Sequence, residues 1–63
     1  MPVSEEIQKG MDGAAEDAEE ELKQHFGEWS AQDLANWWIR WYLKAGHKRL
    51  GRILVRMGKA QAQ

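Results

Sequence analysis

The chain has no cysteine, one proline and no acidic residue beyond position 33, and each absence narrows what it can be. Without cysteine there is neither a disulfide framework nor a thiolate metal site, and nothing points to an oxidising compartment. The single proline, Pro2, leaves the rest of the chain free to be helical, and no alternating run of Val, Ile or Thr offers a strand. The longest apolar run is broken by Arg40 and Lys44, well short of the roughly 20 residues that span a bilayer. Met1 to Gly10 carries Glu5 and Glu6 where a secretory signal would have a basic start and an apolar stretch. These features lead to the expectation of a cytoplasmic protein.

What is present is tryptophan. Trp29, Trp37, Trp38 and Trp41 are all four of the indoles in a chain of 63 residues. A single domain of this size has a marginal core because so much of its surface stays wet. Full burial of four indoles would contribute on the order of 15–25 kcal/mol at the usual area coefficient, an upper bound. The Trp cluster is therefore expected to be core before it is anything else.

Three helices follow from the pattern. The first is expected over about 4–26, with Ser4 as N-cap and Glu5 and Glu6 at the positive end of its dipole. Ile7, Met11, Ala14, Ala15, Ala18, Leu22 and Phe26 form its apolar stripe, opposite Asp12, Glu16, Glu19 and Glu20. Gly10 and Gly13 weaken its front half, so fraying is expected over 1–13, and Gly27 is placed to close it in a left-handed conformation. Ser30 stands three residues before Asp33, the spacing of a capping box, and opens a second helix over 31–45 that Gly46 ends. The third helix is expected over 47–57 with Leu50, Ile53, Leu54 and Met57 on one face, followed by a flexible tail, 58–63. The fold class is all-α: an acidic helix, a Trp-rich central helix and a short basic helix, forming a helical-bundle homodimer.

The dimer expectation comes from the second helix. Leu34, Trp37, Trp38, Trp41, Tyr42 and Ala45 make one broad apolar face, yet Ile39 and Leu43 project from the far side. A helix apolar over more than half its circumference is normally surrounded, and two partner helices cover only one side of it. The rest marks an interaction surface, which makes Trp37, Trp38, Ile39, Trp41, Tyr42 and Leu43 the candidate protein interface. A twofold dimer is the simplest occupant.

Charge is partitioned along the chain. All ten acids lie in residues 1–33 beside Lys9 and Lys23, giving 2 − 10 = −8, while residues 34–63 hold seven cations and no acid. Lys48, Arg49, Arg52, Arg56 and Lys59 fall within roughly 100° on a helical wheel. This edge is either neutralised by the acidic helix or offered to phosphate or to an acidic partner. Five phosphate contacts would give a salt slope near about −4.5 on duplex DNA. Helices two and three can also be read as a helix-turn-helix, a weak reading because Lys48 and Arg49 at the front of the last helix serve phosphate as well as bases. The composition of Trp37 to Tyr42 admits a membrane surface as a further target.

Nothing in the chain resembles a catalytic constellation. There is no phosphate loop, dinucleotide fingerprint or nucleophile elbow, Ser4 and Ser30 both look like caps, and His25 and His47 lack further ligands at metal spacing. The expectation is therefore a non-catalytic protein without cofactor or metal. It binds another protein through its aromatic and basic C-terminal half, as an interaction or regulatory adaptor, with nucleic acid as the alternative partner.

Overall fold

The computed structural model describes residues 5–62. It contains three helices and, among these residues, no strand: α1 Glu5–His25, α2 Ala31–Ala45 and α3 His47–Ala62. The expected cap at Ser4 lies outside the described residues. The molecule measures 37 × 23 × 17 Å, and no described helix is long and apolar enough to cross a membrane.

Local chemistry accounts for most of the boundaries. At the start of α2 the Ser30 Oγ accepts from the Asp33 N–H at 3.2 Å, and the Ser30 N–H donates to Asp33 Oδ2 at 3.1 Å. The capping box is thus complete, with Asp in the place usually held by Glu or Gln. Gly46 ends α2 at φ 92°, its N–H donating to the Tyr42 carbonyl at 3.1 Å. Gly27 behaves differently from expectation. Gly46 is the one glycine of positive φ among the described residues, so no left-handed residue closes α1. Instead the N–H groups of Glu28 and Trp29 both donate to the His25 carbonyl, at 2.8 and 3.0 Å, a turn that demands no glycine.

The third helix also departs from the periodic reading, continuing through Gly58 to Ala62 rather than ending at Met57. Its apolar face stops there, but backbone helicity does not require one. Gly58 has no positive φ, and Lys59, Ala60 and Gln61 are good helix formers. Gly10 and Gly13 likewise lie inside α1 without interrupting it.

The core is small and centred on one ring. Ala15, Ala18 and Leu22 of α1, Trp37 and Ala45 of α2, and Leu50 and Ile53 of α3 are buried, with Trp37 at 0% exposure. The three α1 residues keep an i, i+3, i+7 spacing, so a single stripe meets both other helices. The Trp37 indole N–H donates to the Ala18 carbonyl at 2.8 Å inside this core, and among the described residues no buried side-chain polar atom lacks a partner. Trp29, Trp38 and Trp41 are half-buried against the cluster. Only one of the four indoles is fully enclosed, so the aromatic contribution falls below that of complete burial.

Two stability predictions follow from these contacts. Gly46→Ala should cost about 1–3 kcal/mol, because its backbone conformation is one that side chains resist, and its Cβ would stand 3.0 Å from Met11 Cε. Gly13→Ala, where a Cβ meets nothing within 4 Å, should gain up to about 1 kcal/mol; urea unfolding of both variants checks the opposite signs. Trp37→Phe should lose about 1–3 kcal/mol through the missing hydrogen bond and the vacated volume, read as a lower urea midpoint.

Candidate interaction surface

The candidate site residues separate into an enclosed set and an open set. Trp37 lies wholly inside, and Trp38 and Trp41 are half-buried. Trp41 also donates its indole N–H to Glu21 Oε1 at 3.3 Å and carries Lys44 Nζ over its ring at 5.6 Å. Exposed on α2 are Ile39 at 65%, Leu43 at 79% and, at the margin, Tyr42. Ile39 and Leu43 stand one turn apart, so they form a ridge along the side of α2 that neither neighbouring helix covers.

Trp38 packs towards α3 instead. Its ring edge lies 3.8 Å from where a Cβ on Gly51 would stand, and it meets the His47 ring edge-on at 5.0 Å. Beyond Gly51, the outer face of α3 forms a shallow groove of about 700 Å³ lined by Lys48, Gly51, Arg52, Val55, Arg56 and Lys59. Its floor is Gly51 and the exposed Val55, and its walls are the long stems of the cationic residues, whose methylenes cover apolar surface while their charges stay wet. The sequence pattern places these cations together but does not reveal the floor. Gly51 looks like a mere weak point in a helix until Trp38 is seen beside it.

The five cations of α3 are not equivalent. Arg49 pairs with Asp12, and Arg56 pairs with Glu19 at 2.6 Å. The two pairs repeat a seven-residue step on both helices, so α1 and α3 run alongside each other in the same direction. Arg40 of α2 pairs with Glu21. By contrast, Lys48, Arg52 and Lys59 have no carboxylate within 4.0 Å among the described residues. The acidic helix thus neutralises the α1-facing edge of the basic helix and leaves the outward edge free. A second cleft, between α1 and α3, holds Glu16 and Glu19 opposite Arg49, Arg52 and Arg56.

These pairs shift two carboxyls. Hydrogen bonds from Gln8 and then Arg49 hold the Asp12 carboxyl below its ordinary range. Partial burial pushes Glu21 up, but hydrogen bonds from Arg40 and Trp41 outweigh it and bring the group below its usual value.

The histidines make packing contacts. His25 stacks on Trp29 at 5.3 Å, with Glu28 at 3.8 Å from its Nδ1, while His47 packs on Trp38. No group of three or more metal-ligating side chains gathers among the described residues.

In class, the chain is a small all-α three-helix domain with exposed apolar residues on α2 and a cationic outer face on α3. No family model, curated protein or solved structure matches it.

The paired carboxylates set an acid limit on stability. Depressed folded-state values mean that Asp12 and Glu21 contribute fully above the ordinary carboxyl range and progressively less as pH falls through and below it. Thermal stability should therefore drop below roughly pH 4, and an Asp12→Asn, Glu21→Gln double variant should show a shallower acid slope in melts between neutral and acid pH.

Proposed function

We propose that this protein is a non-catalytic binding module that holds another protein through the open face of α2 and α3. The observation that carries the reading is the exposure of Ile39 and Leu43 on the outer side of α2. The two neighbouring helices cover only one side of α2, and exposed apolar surface of the kind left on its other side marks contact sites.

The remaining readings of the same face weigh less. Arg49 and Arg56 already have carboxylate partners, which leaves fewer cations for a phosphate backbone than the helical wheel offered. A twofold homodimer through the α2 ridge accounts for the apolar residues. It also brings together the Lys44, Lys48, Arg52 and Lys59 of two copies, none of them in an ion pair among the described residues, and such like charges oppose association.

Ile39→Lys combined with Leu43→Lys tests the reading. Both positions are exposed, so the variant should keep its helicity and lie within about 0.5 kcal/mol of the parent. A partner retained from nuclease-treated lysate by the parent chain should be lost with the variant. Retention of the same partners by both forms would refute the assignment, and light scattering at twice the 7.3 kDa chain mass, abolished by the variant, would replace it with the dimer.

A further inference from the structure

The front of α1 is tied down differently from the rest of the helix. Ala15, Ala18 and Leu22, which hold α1 in the core, all lie beyond Gly13. Before it, residues 5–10 are exposed and only Met11 and Asp12 are partly covered. Met11 reaches the elbow between α2 and α3, where its Cε stands 3.0 Å from the Cβ position of Gly46. The Asp12 carboxylate accepts from Arg49 of α3 and from Gln8, one turn earlier on its own helix. Gln8 and Met11 thereby close one side of a hollow of about 400 Å³ whose other walls are residues 45–49 and Arg52.

Two glycines weaken this stretch without serving its packing. A Cβ at Gly10 or Gly13 would meet nothing within 4 Å, so neither glycine admits a close neighbour. Each only makes the helical backbone less favourable than alanine would. What holds the segment down is small: one methionine contact and one half-exposed ion pair, an interaction of modest strength. Segments with few buried contacts open locally while the rest of a molecule stays folded.

We infer that residues 5–12 form a strap that opens as a unit about Gly13, latched shut by Asp12 on Arg49 and by Met11 on Gly46, while the three-helix core stays intact. Opening uncovers the elbow at Gly46 and returns Arg49 to solvent. There it joins Lys48 and Arg52, which line the same hollow and have no carboxylate within 4.0 Å among the described residues. The strap governs how much positive charge the start of α3 presents, whatever the α2 ridge binds.

The test is native-state amide hydrogen exchange on the full-length chain, read residue by residue by NMR at increasing urea below the unfolding transition. The amides of residues 9–14 bond to carbonyls four residues earlier, within the strap. They should share one opening equilibrium that barely responds to urea, at least about tenfold less protected than residues 18–25, whose exchange follows global unfolding. Ile53→Val, a change in the core, should lower protection of 18–25 by about two- to tenfold and leave 9–14 unmoved. Asp12→Asn should lower protection of 9–14 by about two- to fivefold, and adding Arg49→Gln should lower it no further. Gly13→Ala should raise it by about fivefold. Protection that climbs steadily inward from residue 9 would mean an ordinary frayed end. A joint response of 9–14 and 18–25 to urea and to Ile53→Val would mean that α1 opens only with the whole molecule, and indifference of 9–14 to Asp12→Asn would remove the latch; each result overturns the inference.

Discussion

Trp37 is the side chain on which the rest of the structure depends. It sits at the meeting of all three helices with no exposure, and its single polar atom is satisfied by the Ala18 carbonyl of α1. A large ring with one donor must be both surrounded and hydrogen-bonded when buried. The alanines of α1 make this possible: Ala15 and Ala18 are small enough for the indole to approach the helix backbone. Leu22, Leu50 and Ile53 then close the cluster. With one core ring so placed, the azimuth of α2 is fixed, and Ile39 and Leu43, on the opposite arc, have nowhere to go but outward.

Electrostatics acts on top of this packing. The acidic helix and the basic helix are joined by Asp12 with Arg49 and Glu19 with Arg56, and the central helix by Glu21 with Arg40. These are largely exposed pairs, each of modest energy, so their effect is more on register than on stability. They use the cations that point towards α1 and leave those that point away. The result is a molecule with an acidic flank, a neutralised seam, an apolar ridge on α2 and a cationic outer face on α3.

Much of the fold was legible in the chain. The limits of α2 could be read from Ser30, Asp33 and Gly46, because capping is local chemistry that a few adjacent residues complete by themselves. The apolar stripe of α1 and the outward projection of Ile39 and Leu43 were also legible, since helical periodicity fixes angles before any partner is present. The end of α1 was less so. Gly27 has the conformational freedom to close a helix but is not required to use it, and the chain turned through bonds to the His25 carbonyl instead.

The site was legible only in part. Sequence determined that the C-terminal half is aromatic and cationic, that its cations share one helix edge and that α2 is too apolar to be covered on all sides, because composition and the 3.6-residue period alone decide these things. Which indole would be enclosed, which arginines would be paired and which lysines left free depended on the depth at which each helix meets the others. So did the approach of Trp38 to Gly51 of another helix. Those are distances between residues far apart in the chain, set by how three helices fill one small core, and only the tertiary structure decided them.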